Sequence, residues 1–184
     1  MPGMTVMRPG DANEVVEAYR YVMQLKHRPA LFALSRQPLP TLDRTKYASA
    51  AGVAKGAYVL ADAPDGKPDV ILIATGSELS LVVEAHETLV SQGIKSRVVS
   101  MPSWDVFELQ PAHYRESVFP PDVKARLAVE QASTLGWDRY IGPEGRMIGM
   151  HTFGASAPLA ELQRQFGFEP DRVVSVAKEM LGRE

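Results

Sequence analysis

VILIATGSELSLVVEA, residues 70–85, is the stretch from which the fold can be read. Val70 to Ala74 is an unbroken apolar run, the pattern of a strand covered on both faces. Gly76 and Ser77 then open a helix. Ser77 is placed as its N-cap, and Glu78 lies in the first turn, where the helix dipole favours a carboxylate. Leu79, Val82, Val83, Leu89 and Val90 recur at helical spacing and form the inner face. A buried strand running through a glycine into an amphipathic helix is the unit of a parallel α/β sheet.

The same alternation continues on either side. Tyr58 to Ala61 reads as a short strand, followed by a polar turn over Asp62–Pro68 that contains Asp65-Gly66. Downstream, Arg97 to Met101 is a strand, Pro111 to Val118 a short helix and Leu127 to Glu130 another strand. Gly136-Trp137 marks a turn or helix start, and Met147 to Met150 a further strand. Leu159 to Phe166 and Asp171 to Met180 close the chain as helices. The expected fold class is α/β, a three-layer domain with a mainly parallel sheet.

Upstream the pattern breaks. Residues 37–56, with Pro38 and Pro40 and glycines at 52 and 56, show no period and read as a crossing between domains. Before them stands one partial β-α-β unit. Thr5 to Met7 is a strand ending at Arg8-Pro9-Gly10; Asp11 is an N-cap with Glu14 three residues on, as in a capping box. Val15, Val16, Tyr19, Val22 and Met23 give helix 12–26 an apolar face, and Ala30 to Ser35 reads as a strand covered on both sides. Such a unit cannot bury a sheet of its own.

Composition excludes several functions. The formal charge of −2, with lysine and arginine scattered, leaves no nucleic-acid footprint. The absence of cysteine removes disulfides, thiolate catalysis and cysteine-ligated zinc. No apolar run approaches a bilayer span and the start is no signal peptide, so no membrane partner and a cytoplasmic location are expected. His27, His86, His113 and His151 show no metal spacing; His151, at a possible strand end, is the one best placed for a ligand. Ala74–Glu78, ATGSE, is a strand–glycine–helix junction, but Glu78 would repel a phosphate there. Glu130 ends a buried strand in a carboxylate, with no partner evident from sequence. Spacing alone identifies no catalytic group.

Longer strings carry more. VMRPGDANEV (6–15), PALFALSRQPLP (29–40), ILIATGSELSLVVEA (71–85), RVVSMPSWDVFELQ (97–110), YRESVFP (114–120) and MHTFGASAPLAEL (150–162) occur in that order. Together they resemble the carboxy-terminal section of a bacterial-type transketolase, in register from Thr5 to Leu181. Pyruvate dehydrogenase β subunits and deoxyxylulose-phosphate synthases share the fold without matching so many strings.

The resemblance implies the following. Residues 1–45 would be the trailing β-α-β part of the pyrimidine-binding domain, and residues 46–184 the transketolase C-terminal domain. Arg36, in LSRQ, would bind the phosphate of a sugar-phosphate substrate, its guanidinium offering phosphate a planar donor fork. The intact family enzyme moves a two-carbon ketol unit between sugar phosphates, using thiamine diphosphate and Mg²⁺. The family's metal-and-diphosphate motif, its activating glutamate and its channel histidines all lie upstream of any segment matched here. This chain alone is therefore expected to bind no cofactor and to be inactive, with no catalytic residue of its own. Expected partners are a separately encoded amino-terminal transketolase part or a second copy, since the family is homodimeric. The alternative is a stand-alone binding or regulatory module, or a structural subunit of a split transketolase.

Overall fold

The structure, a computed structural model, describes residues 3–183; Met1, Pro2 and Glu184, at the ends of the two expected domains, lie outside it. Two sheets share the chain. The smaller pairs β1 (Thr5–Met7) with β2 (Ala30–Phe32) in parallel, Thr5 opposite Ala30 and Met7 opposite Phe32. The crossover between them is α1 (Ala12–Val22). Asp11 caps α1 as expected, Oδ1 accepting the Glu14 N–H at 2.8 Å. The helix stops at Val22, short of residue 26, with Met23 as its C-cap.

One expectation fails here. The run Ala30–Ser35 is not a strand covered on both faces. It is regular only to Phe32, and Leu31 and Leu34 are 44% and 53% exposed. Among the described residues its strand partner is β1 alone; Tyr19 of α1 stacks on Phe32 with centroids 4.5 Å apart, and Phe32 also touches the larger apolar cluster. The apolar pattern suits a larger sheet than these two strands make.

The larger sheet has the order β3-β5-β4-β6-β7. Its strands are β3 (Tyr58–Ala61), β4 (Val70–Ala74), β5 (Ser96–Ser100), β6 (Arg126–Ser133) and β7 (Arg146–Met150). All pairs are parallel except β3 with β5, at the edge. Alternate residues of β4 serve opposite faces. Leu72 and Ala74 join Val98, Leu127 and Val129 beneath α2 (Glu78–Ser91) and, near the carboxyl end, α7 (Pro170–Met180). Ile71 and Ile73 join Val99 and Ala128 on the other face. That face is covered by α3 (Trp104–Phe107), α4 (Ala112–Val118) and α5 (Asp138–Ile141). The remaining helix, α6 (Leu159–Phe166), precedes α7. The result is three layers around a sheet whose central strand is fully buried.

Two details of α2 depart from the sequence reading. Ser77 gives no side-chain cap; its hydroxyl donates instead to Glu78 Oε1 at 2.6 Å. Val90 lies 44% exposed, while Ala85 and His86 complete the inner face. His86 can sit there because its Nδ1 bonds Ser96 Oγ at 2.7 Å, and burial holds its pKa low.

The small unit is docked on the large sheet. The Val6 N–H donates to Asp105 Oδ2 at 3.2 Å, the Arg8 N–H to the Pro102 carbonyl at 2.8 Å, and the Gly76 N–H to the Arg8 carbonyl at 3.0 Å. Met7 and Ala18 enter the same apolar cluster as α2 and α7. Residues 37–49 run between the units without regular structure, and Ala50–Lys55 forms a 3-10 turn against α1.

Candidate functional site

In the larger sheet the chain moves from β4 to β5 on one side, then crosses to β6 on the other. Open α/β sheets bind ligands in the crevice outside the carboxyl ends at such a reversal. Thr75 follows β4 there, and Glu130 lies in β6. Arg8, arriving from the end of β1, fills the crevice. Its Nη1 donates to the Thr75 carbonyl at 3.0 Å and to the Thr75 hydroxyl, and pairs with Glu130 Oε1; its Nη2 pairs with Glu78 Oε2 at 2.7 Å. The Thr75 hydroxyl donates in turn to Glu130 Oε2. A Cβ on Gly76, whose φ is +52°, would lie 2.8 Å from the guanidinium carbon. Glycine is needed for Arg8 to come that close.

The Ala74–Glu78 junction is thus closed by an ion pair rather than open to a phosphate. Beside it remains a hollow of about 350 Å³, walled by Met101, Trp104, Leu135 and Trp137. Sequence reading left Glu130 without a partner and placed Glu78 only against the helix dipole. A carboxylate closing a buried strand does demand a cation, but nothing local identified that cation as Arg8.

One arginine now serves two buried carboxylates. Burial, with the charge of Glu78 added, outweighs the pull of Arg8 and Thr75 and raises Glu130 to about 7. A raised carboxyl stabilises the fold below its unfolded pKa and loses that contribution as pH climbs through the folded value. Between about pH 4.5 and 7, Glu130 should cost the fold on the order of 3 kcal/mol. The expected outcome for Glu130→Gln is a flatter stability profile, measured by urea unfolding at pH 5, 6, 7 and 8. A parallel decline in variant and wild type would count against this assignment.

A second buried group lies under α1. Glu14, wholly inaccessible, accepts the Gly10 N–H at 2.7 Å, the Tyr58 hydroxyl at 2.7 Å and the Ser100 hydroxyl at 2.5 Å. It therefore reaches back past the N-cap instead of closing the box on Asp11. Burial dominates and raises its pKa. Asp11 receives both bonds of the Arg44 Nη2 at 2.9 Å and the Leu42 N–H at 3.0 Å, which fastens the crossing segment to the start of α1.

Arg36 stands apart from both clusters, on an exposed turn beyond β2. The Ser35 hydroxyl accepts the Gln37 N–H at 3.1 Å, and Pro38 and Pro40 follow, so the backbone around Arg36 is locally held. No ion pair among the described residues involves it. His27, His113 and His151 are exposed and separate in the fold. Among the described residues no group of three or more histidine, aspartate or glutamate side chains could hold a metal ion. None of their helices is long and apolar enough to cross a membrane.

A mainly parallel sheet with helices on both faces and a strand reversal at its centre defines a doubly wound α/β domain, here with an arm of a second sheet clamped across its crevice. Residues 56–169 match the family model described as the transketolase-like TK C-terminal domain. Transketolase of Geobacillus stearothermophilus is 46% identical over 183 residues, 100% of this chain and 27% of the relative. That of Halalkalibacterium halodurans is 50% identical over 181 residues, 98% of this chain and 27% of the relative. Pichia stipitis transketolase, solved in complex with sedoheptulose 7-phosphate, superposes with a TM-score of 0.88 at 39% identity. The match covers 98% of this chain and 25% of that one. A structure described as a split gene transketolase, an inactive β4 tetramer, has the same fold, with a TM-score of 0.75 at 18% identity; the match covers 99% of this chain and 59% of that one. The chain belongs to the transketolase family and corresponds to its carboxy-terminal section. It spans about a quarter of the length of the curated relatives it matches.

Proposed function

We propose that this chain completes a ketol transferase acting on sugar phosphates, that Arg36 binds the substrate phosphate, and that the chain alone is inactive. The observation that carries this reading is the open outer side of the small unit. Val16, Tyr19, Met23, Leu31 and Leu34 are each 44–81% exposed on the same β-α-β arm that leads into Arg36. Apolar surface at that density calls for a protein cover. In this reading residues 1–45 belong to a pyrimidine-binding domain whose remaining strands cover that side, and residues 46–184 are the third domain.

Thiamine diphosphate with a divalent metal is the cofactor of the family, and when bound it stabilises the carbanion of the transferred two-carbon unit. The described residues do not fit it, since no cluster here can hold the metal. The cofactor seat is assigned to the partner polypeptide, and this chain contributes shape, cover and one phosphate anchor. A polypeptide supplied in trans is the form suggested by the split-gene relative, whose assembly is described as a tetramer. A second copy of the assembled unit would make the homodimer expected of the family.

The test mixes this chain with the upstream part of the Geobacillus relative, ending where β1 begins, in thiamine diphosphate and Mg²⁺. Ketol transfer and co-elution on gel filtration are expected from the mixture only. Turnover by this chain alone would end the proposal of inactivity. Two parts that neither associate nor react would favour a stand-alone module.

A further inference from the structure

On the sheet face covered by α3, α4 and α5 there is a hollow of about 390 Å³, built wholly from residues 107–140. Its wall holds Arg115, Arg126 and Arg139 against Glu108 and Glu116, a formal excess of one positive charge. Arg126 is the fixed element. Its guanidinium donates to the carbonyls of Val123 at 2.9 Å, Tyr140 at 2.9 Å and Pro120 at 2.8 Å. No carboxylate of the described residues forms an ion pair with it; its half-buried charge is met by those carbonyl dipoles, by the Phe119 ring and, at longer range, by Asp122.

The other two arginines are held more loosely. Glu108 takes Arg115 Nη1 at 3.0 Å and the Tyr140 hydroxyl at 2.9 Å, while Arg139 stays 3.7 Å away. Arg139 is therefore a cation at the rim with a long, weak pairing. The aromatic floor is rigid: Phe107, Phe119 and Tyr140 pack with centroids 5.6–6.1 Å apart, and the Arg126 guanidinium lies 5.6 Å from the Phe119 centroid.

We infer that this hollow is a second ligand site, separate from Arg36, for a small phosphomonoester. Its phosphate sits between Arg139, Arg115 and the field of Arg126, and its hydroxyl-bearing body lies over Phe119 and Ala112. Guanidinium forks match tetrahedral oxyanions, and the volume is that of a small-molecule site rather than of a bare ion. Glu116, exposed and unpaired among the described residues, accepts hydroxyl donors from the body and disfavours a purely anionic ligand.

Heteronuclear NMR titration of the chain tests this, with inorganic phosphate and glycerol 3-phosphate as probes and chloride adjusted to constant ionic strength. Saturating shifts are expected at Arg115, Phe119, Arg139 and Tyr140, with glycerol 3-phosphate binding more tightly than phosphate. Arg139→Ala, at an exposed position that leaves the fold intact, should weaken binding by about tenfold. Arg115→Lys keeps the charge but loses the fork and should weaken binding as well. Arg36→Ala should leave this binding unchanged, which separates the site from the phosphate anchor proposed above. Shifts that never saturate in the millimolar range, that survive Arg139→Ala or that vanish with Arg36→Ala would overturn the site. Equal affinity for the two probes would overturn the phosphomonoester assignment and leave an adventitious ion only.

Discussion

Glu14→Ala should lower the thermal midpoint of this chain by about 10 °C and release its first forty or so residues to protease, leaving a resistant core over residues 58–181. Removing the carboxylate strands three donors, the Gly10 N–H and the hydroxyls of Tyr58 and Ser100, in a space water cannot reach. Breaking a buried charged network costs about 3–5 kcal/mol, and a chain of this size loses roughly 2–4 °C per kcal/mol. The loss falls where the two units meet, because Glu14 stands on α1 while Tyr58 and Ser100 belong to β3 and β5. Glu14→Gln separates packing from charge. Its amide oxygen still accepts from the two hydroxyls, but its NH₂ faces the Gly10 N–H, so the loss should be smaller, about 1–2 kcal/mol. The pH dependence has a definite sign. Burial raises the Glu14 pKa, so the wild type loses stability as pH rises through that value while the glutamine variant does not. The gap between them should narrow towards alkaline pH. Thermal melts of the three proteins at several pH values, with limited proteolysis, are the measurement. An unchanged midpoint, or digestion of the core before the arm, would show that the network does not hold the units together.

What was legible in the sequence follows from how local the signal was. β4 and α2 announce themselves because a fully buried strand and a helix face each fit within a short window, and β3, β5 and β7 were placed within a residue or two for the same reason. The lone β-α-β arm was legible as a unit, but not its exposure: the letters of Ala30–Ser35 record a sheet that two strands do not complete. The four-residue helix α3 is not marked in the sequence because one turn is too short to show a period, and of α5 only the start, at Gly136-Trp137, is marked. The charged clusters were invisible for another reason. Arg8 lies 67 positions from Thr75 and farther from Glu130, and Glu14 lies 86 from Ser100. Each looked like an end-of-element residue, and only the docking of the arm turns them into pairs. Glu14 was the nearest to being readable. A capping-box glutamate whose helix must also bury its first turn can satisfy donors beyond the box. Arg36 is the opposite case: resemblance alone singles it out, and its local geometry, an exposed turn with no ion pair among the described residues, would not by itself distinguish it from any surface arginine.

That makes Arg36→Ala the decisive substitution for the proposed role. In the assembled enzyme, kcat/KM for a phosphorylated ketose should fall by roughly 10–100-fold. This corresponds to the loss of about 1.5–3 kcal/mol of charge-assisted hydrogen bonding. The loss should appear chiefly in KM. An anchor far from the reacting bond holds ground state and transition state alike, so kcat should change little. Arg36→Lys should restore part of the loss, because an ammonium supplies the charge but not the two-pronged donor geometry. The control is an unphosphorylated ketose, for which wild type and variant should be equal. Folding is not at stake, since Arg36 is exposed and contributes no ion pair among the described residues. An equal fall for both substrates would show that Arg36 positions the segment rather than the phosphate. No fall for either would return it to the surface, and the phosphate anchor would then have to come from the partner polypeptide. Raising the ionic strength gives an independent check, since a solvent-exposed guanidinium–phosphate contact weakens with salt. The wild-type KM for the phosphorylated ketose should rise with salt, and the variant's should stay nearly flat.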